Sequence, residues 1–145
     1  MLLGKLSTEA HKKMFLNLEL CLSEIDGHFD DVEKRLIDQH CLEMGINNNG
    51  YQKEKTLDEV TELINSDMSE EERKIIYIEL LTVAYIDQEF SSEERKLVDR
   101  VQDILKISKE DAEEAEEIVE NLIVYVKKLE GFVETYSKKI EDYIS

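Results

Sequence analysis

Two acidic segments carry the side chains that are best suited to chemistry in this chain. Both have the pattern Asp-x-x-Phe-[Asp/Ser]-x-x-Glu, which contributes Asp26 and Glu33 from the first segment and Asp87 and Glu94 from the second. We expect each Asp to end one helix and each Glu to lie in the first turn of the next. Because the chain reverses between them, the two carboxylates of a segment can approach each other. If the two segments also come together, four carboxylates form an oxygen site for a hard divalent cation such as Ca²⁺ or Mg²⁺.

Helix capping offers a second explanation of the same four residues. Glu33 and Glu94 can cap the helices that they begin, where a carboxylate also suits the helix dipole. Asp26 and Asp87 can end helices by accepting hydrogen bonds from their own backbone. Capping does not require that the Asp be repeated, so metal binding and capping both stay open.

The two segments belong to an internal duplication. Residues 25–38 align with residues 86–99 without a gap, and the Ile, Asp, Phe, Glu, Leu and final Asp of the two stretches coincide. Two helix–turn–helix units of this kind predict repeats over about residues 14–46 and 75–107, related by approximate two-fold symmetry.

Helices must position these segments, and the sequence favours an all-α fold. The chain has no proline and five glycines, and no apolar run alternates with the period of a strand. Capping signals and helical spacing predict six helices. Their expected starts are near Ser7, Asp30, Thr56, Ser69, Ser91 and Ser108, and their expected ends are near Glu24, Gly45, Asn65, Tyr85, Leu105 and residue 142. We therefore expect a compact multi-helix bundle that forms a single domain over residues 1–145.

The last helix, over about residues 108–142, has a heptad pattern. Apolar residues recur in steps of three and four from Ala112 to Tyr143, as in a self-associating coiled coil. Ile118 and Phe132 widen the apolar face beyond a two-stranded seam, which favours a helix that lies across its own bundle and bends near Gly131. A partner surface on its C-terminal part, with a homodimer as one form, is the alternative.

Charge and motif content narrow the classes of function. The chain has 35 acidic and 18 basic residues and a formal net charge of −17. No stripe of Lys and Arg is present for phosphates, so we expect no nucleic-acid partner. No apolar run approaches membrane-spanning length and the first residues do not resemble a signal peptide, so we expect a cytoplasmic protein without membrane insertion. Cys21 and Cys41 are expected to be buried, reduced thiols.

No catalytic motif is recognisable, so the sequence predicts a protein that is not an enzyme. A Gly-rich phosphate loop, a nucleophile elbow and an HExxH motif are all absent from the sequence. A hydrolase that uses the carboxylates with a metal stays open, although no nucleophile or substrate cue favours it. His28 lies beside the first acidic segment, where it is either a further ligand or an ordinary surface histidine.

An apolar helix followed by Asp-Gly-x-Phe-x-x-x-Glu, repeated later with Gln88 in place of the Gly, resembles the paired acidic turns of TerB-like domains, a family linked to bacterial tellurite resistance. The resemblance covers about residues 14–108. It implies a compact helical fold, a cytoplasmic and stress-associated role, and a divalent cation held by the acidic turn residues, here Asp26, Glu33, Asp87 and Glu94. Together with the charge, it leads us to expect a cation-binding module that couples to a protein partner. Because Gln88 departs from the family pattern, the two turns need not bind alike.

Overall fold

The computed structural model of the protein describes residues 2–26, 31–86 and 92–144, with all side chains in these ranges except those at positions 26, 32, 86, 93, 94 and 135–144. Six α-helices fill most of the described residues: α1 Glu9–Asp26, α2 Asp31–Met44, α3 Leu57–Asp67, α4 Glu70–Ile86, α5 Ser92–Leu105 and α6 Lys109–Ile144. The described ranges contain no strand, which confirms the all-α prediction. None of the helices in these ranges has both the length and the apolar character needed to cross a membrane.

Side-chain caps fix the starts of three helices where the sequence predicts them. In each case a Ser or Thr oxygen accepts a hydrogen bond from the backbone N–H three residues later, which satisfies a donor that has no partner inside the helix. The capping residues are Thr56, Ser69 and Ser108, with oxygen–nitrogen distances of 3.1–3.2 Å. The caps expected at Asp30 and Ser91 lie outside the described residues.

The helix pairs α1–α2 and α4–α5 keep the spacing of the aligned repeats. Glu9 and Glu70 begin α1 and α4, and Asp31 and Ser92 begin α2 and α5, so each start in the second pair comes 61 positions after its counterpart. The ends of α2 and α5 differ by the same number. The two-fold symmetry of the pairs in space stays a prediction.

The helices α2 and α5 also end in the same way. The residue that follows each helix has a positive φ, of 71° at Gly45 and 54° at Lys106. The next residue then donates its N–H to the carbonyl five positions back, at 3.0 Å in both places. This hydrogen bond is that of a Schellman motif, which ends a helix and satisfies one of its last carbonyls.

The starts of α1 and α4 are joined by a hydrogen bond between equivalent positions. His11 and Glu72 are the third residues of their helices, and His11 Nδ1 lies 2.8 Å from Glu72 Oε2. Ser7 adds to this contact, because Oε2 of Glu72 also accepts hydrogen bonds from the Ser7 N–H at 3.1 Å and from the Ser7 hydroxyl at 3.2 Å. The segment before α1 is thereby held against α4.

Two apolar clusters share helix α1. The main core is formed by α1, α3, α4, α5 and the first part of α6, and its fully buried side chains include Phe15, Ile64, Ile76, Leu105 and Val119. A smaller cluster on the other face of α1 holds α2 in place through Leu16, Leu20, Ile37 and Cys41. Ile25, expected on the apolar face of α1, is 49% exposed because it lies in the last turn of the helix, beyond the last core residue, Leu22.

Helix α6 is covered over only part of its length. Ala112, Ala115, Val119 and Ile123 are buried, where α6 packs against α4. Every residue from Lys127 to Glu134 is exposed, and the helix runs through Gly131 to Ile144 as one element. The expectation that the helix lies across its own bundle is therefore correct for its first part and wrong for residues 127–134.

Candidate functional site

The helix bounds place the acidic residues as the sequence predicts, as far as the structure describes them. Asp26 is the last residue of α1, Glu33 is the third residue of α2, and Glu94 is the third residue of α5. Asp87 lies outside the described residues, as does His28, and the side chains of Asp26 and Glu94 are also not described. The convergence of the four carboxylates, and the choice between capping and metal binding, therefore stay predictions.

A groove of about 710 Å³ lies between the two helix pairs. Its lining is mostly apolar and includes Leu22, Leu36, Leu80, Leu81, Leu97 and Val101. Glu33 lines the groove from the first turn of α2, and Val83 and Ala84 line it from the last turn of α4. One helix end from each acidic turn, the start of α2 and the end of α4, therefore borders the same groove.

A buried carboxylate and a histidine form a second polar feature of this groove. Glu19, which lines the groove and is 7% exposed, holds His40 with a distance of 2.5 Å between Oε2 and Nδ1. Burial by itself lowers the pKa of His40, but the hydrogen bond and negative charge of Glu19 outweigh burial and raise that pKa above its ordinary value. The hydrogen bond between His40 and Glu19 thus compensates part of the cost of burying the carboxylate.

Glu19 Oε1 and the hydroxyl of Tyr77 are buried at this groove and have no hydrogen-bond partner among the described residues. Burial also raises the pKa of Tyr77 to about 12. Sequence reasoning missed the Glu19–His40 pair, although one signal was available. A Glu within the apolar run of α1 requires a buried partner, but the partner is 21 positions away and only the fold identifies it.

The described residues contain no group of three or more His, Cys, Asp or Glu side chains that could hold a metal ion. Of the four carboxylates of the acidic turns, only that of Glu33 is in this part of the chain, so the finding does not test the four as a set. Cys21 and Cys41 are both free and buried, as predicted. Burial raises the pKa of Cys41 to about 11 and also raises that of Cys21, so both are protonated thiols at neutral pH.

Comparison with known protein families gives one match. Residues 47–117 match the model of the family described as Tellurite resistance protein TerB. No curated protein and no solved structure matches the chain. The match confirms the TerB-like resemblance and identifies residues 47–117 as a TerB-like segment.

The matched segment differs in extent from the resemblance that the motifs indicate. It begins in the loop after α2 and ends in the first part of α6, whereas the motifs cover about residues 14–108. The second acidic turn, with Asp87 and Glu94, lies inside the matched segment. The first turn, with Asp26 and Glu33, lies before it, so its connection to the family rests on the motif and the internal repeat and not on the match.

Proposed function

We propose that this protein is a non-enzymatic, TerB-like module that binds a divalent cation through its acidic turns and couples this binding to a protein partner. The observation that carries the proposal is the shared groove between the helix pairs. Glu33 borders it at the start of α2, and Ala84 borders it three positions before Asp87. A cation near this groove would draw ligands from both turns.

The chemistry of the donors fits a hard cation. Carboxylate oxygens are the ligands that Ca²⁺ and Mg²⁺ prefer, whereas soft metals prefer thiolate and imidazole. Both cysteines are buried, and the two described histidines, His11 and His40, each lie against a glutamate. The net charge of −17 adds a general attraction for cations and a self-repulsion that a bound cation relieves.

Cation binding should stabilise the folded chain. A ligand that binds only the native state adds about 2.7 kcal/mol to the free energy of unfolding when its concentration is 100 times Kd. The bound ion would connect the end of α4 to the start of α2, and so fix the width of the groove between them. This change in the groove is the means by which cation binding would affect a protein partner.

Isothermal titration of the chelator-stripped protein with Ca²⁺, Mg²⁺, Mn²⁺ and Zn²⁺ tests the proposal. The test variant is Asp26→Asn/Asp87→Asn, which removes two charges from the turns. The matched control is Asp58→Asn/Asp103→Asn, which removes two charges from exposed positions elsewhere. We expect saturable binding of a hard cation that the test variant loses and the control keeps.

Either of two results would refute the assignment. Binding that survives in the test variant would return the acidic residues to helix capping, and so would the absence of binding by every cation in the wild-type protein. The thermal stability of the cation-free proteins is measured alongside. If the test variant unfolds at the same temperature as the wild type without cation, any loss of binding belongs to the site and not to the fold.

The cellular role that we propose rests on the family resemblance. TerB-like domains are linked to tellurite resistance, so we infer a cytoplasmic, stress-associated role for this chain. A strain that lacks the protein should then be more sensitive to tellurite, and the wild-type copy should restore growth. Failure of the Asp26→Asn/Asp87→Asn copy to restore growth would connect the role to the acidic turns.

A specific observation favours a second candidate function. The distal segment of α6, defined as residues 124–144, carries large apolar side chains that are more than half exposed, among them Tyr125, Leu129 and Phe132. Such a surface is typical of a protein-interaction domain. In this alternative the acidic turns serve only as caps and the chain acts by docking through α6.

A further inference from the structure

The groove between the two helix pairs has the size and the lining of a small-molecule site. Its volume of about 710 Å³ lies within the range of roughly 300–1,000 Å³ that ligand pockets occupy. Helices α1, α2, α4 and α5 all contribute to its walls, and most of the lining is aliphatic, as at Leu22, Leu36, Leu80, Leu97 and Val101. Because contact with such walls removes apolar surface from water, the groove favours a ligand with an apolar body.

One carboxylate oxygen at this groove can accept a further hydrogen bond. Glu19 belongs to the lining, and its side chain is 8% exposed. His40 lies against Oε2, whereas Oε1 is buried without a hydrogen-bond partner among the described residues. Such atoms are uncommon in folded proteins, because a buried acceptor without a donor costs free energy. A ligand that brings an N–H group from the groove to Oε1 would remove this cost.

The charges around Glu19 select a cation as the donor. The carboxylates whose negative charge acts on the imidazole of His40 come from three helices: Glu19 from α1, Glu79 from α4 and Glu43 from α2. One protonated imidazole balances the charge of one carboxylate and leaves two. An ammonium group beside Glu19 therefore gains a favourable charge interaction, whereas a ligand with a carboxylate head would be repelled.

We propose that this groove binds a small organic amine, whose apolar body lies between the helix pairs and whose ammonium group donates a hydrogen bond to Glu19 Oε1. An ammonium has three N–H donors, so it can bond to Oε1 and stay hydrated toward the mouth of the groove. Tyr77 also has a hydroxyl without a partner among the described residues. The charged groups that act on that hydroxyl belong to α5 and α6, so the ammonium site is assigned to Glu19.

Isothermal titration with four probes, in chelator and without added metal, tests the proposal independently of cation binding by the acidic turns. Octylamine, 1-octanol and octanoate share one apolar chain and differ in the head group, and butylamine has the same head on a shorter chain. We expect one octylamine to bind per chain, and octanol and octanoate to bind at least roughly tenfold more weakly, since they lack the charged hydrogen bond. Butylamine should also bind at least roughly tenfold more weakly, because each buried CH₂ contributes about fourfold.

Glu19→Gln tests the position of the ammonium group. Glutamine keeps the shape of Glu19 but loses the charge, and an NH₂ donor replaces one of the two oxygens. We expect the affinity for octylamine to fall by roughly 10- to 100-fold. The matched control is Glu62→Gln, which removes the same charge from an exposed position on α3, outside the groove lining, and should bind octylamine as the wild type does.

Three results of these titrations would overturn the proposal. Octylamine may not bind saturably at all, which would leave the groove without this ligand. Equal affinity for octylamine and octanol would show that the head group contributes nothing. Equal affinity of the wild type and Glu19→Gln for octylamine would show that the amine is held elsewhere on the acidic surface.

Histidine NMR provides a readout that needs no variant to fold. An ammonium at Glu19 disfavours the charged form of His40, so at a pH near the midpoint of its titration the ring signals of His40 should move toward the neutral form as octylamine is added. His11 is the internal control, because it pairs with Glu72 near the start of α1 and lies outside the groove lining. Its signals should not move. An unchanged His40 with octylamine bound, or equal changes at both histidines, would contradict the proposed site.

Discussion

Glu72 holds the segment before α1 against α4, and its replacement by Gln gives a sharp test of the packing. Oε2 of Glu72 accepts three hydrogen bonds, from His11 Nδ1 at 2.8 Å, the Ser7 N–H at 3.1 Å and the Ser7 hydroxyl at 3.2 Å. Glutamine keeps the shape and one acceptor oxygen but loses the charge. The change therefore isolates what the negative charge contributes to these contacts.

The expected loss follows from the strength of charged hydrogen bonds. A hydrogen bond to a charged group contributes about 1.5–3 kcal/mol, against about 0.5–1.5 kcal/mol for a neutral pair. Because the side chain of Glu72 is 11% exposed and the acceptor oxygen survives in glutamine, we expect Glu72→Gln to lower the free energy of unfolding by about 1–2 kcal/mol. The melting temperature should fall by roughly 3–8 °C in a domain of this size.

The loss should depend on pH in a defined direction. Burial alone raises the pKa of Glu72, but the hydrogen bonds from His11 and Ser7 outweigh it and lower that pKa below its ordinary value. The ionised carboxylate therefore stabilises the fold above the pKa of the unfolded chain, and this stabilisation is lost as the pH falls through the lowered folded pKa. The difference between wild type and Glu72→Gln should be full at pH 7 and shrink in acid.

Urea unfolding of both proteins between pH 7 and the acid range measures this difference. Glu71→Gln is the matched control, since Glu71 is the preceding residue in the first turn of α4 and is exposed. The variant removes the same charge from the same helix start. Equal destabilisation by the two substitutions, or a Glu72→Gln difference that does not change with pH, would refute this account of the contact.

Two further predictions concern the helix ends and the thiols. Gly45→Ala should lower the free energy of unfolding by about 1 kcal/mol, and Lys106→Gly should raise it by a few tenths to about 1 kcal/mol. The reason is that both positions have a positive φ that only glycine adopts without strain. Urea titration measures both changes, and a gain in stability from Gly45→Ala or a loss from Lys106→Gly would contradict this account. Cys41, which is buried and has a pKa of about 11, should react with a thiol reagent at pH 8 at least roughly 100-fold more slowly than in the urea-unfolded chain, and equal rates would show that its site opens freely.

The sequence by itself determined the helical class and most of the helix starts, because the signals are local. Thr56, Ser69 and Ser108 cap the N–H groups three residues later, and neither partner depends on the rest of the fold. The absence of proline and the helical spacing of apolar residues act over the same short range. For the same reason the repeated spacing of the two helix pairs is visible in the sequence and in the helix bounds.

The candidate site follows from the sequence only in part. The sequence places Asp26 at the end of α1 and Glu33 in the first turn of α2, and the helix bounds agree. That Glu33 borders a groove shared with the last turn of α4 depends on how two helix pairs pack, which no local pattern encodes. The meeting of the four carboxylates is a question of the same kind.

The tertiary structure alone decided which side chains are paired and which part of α6 is covered. His11 and Glu72 are 61 positions apart and Glu19 and His40 are 21 positions apart, so only chain folding brings the partners together. The heptad pattern of α6 is the same before and after Ile123, but α4 reaches only the first part. Burial depends on the neighbour as well as on the helix, and a sequence pattern describes only the helix.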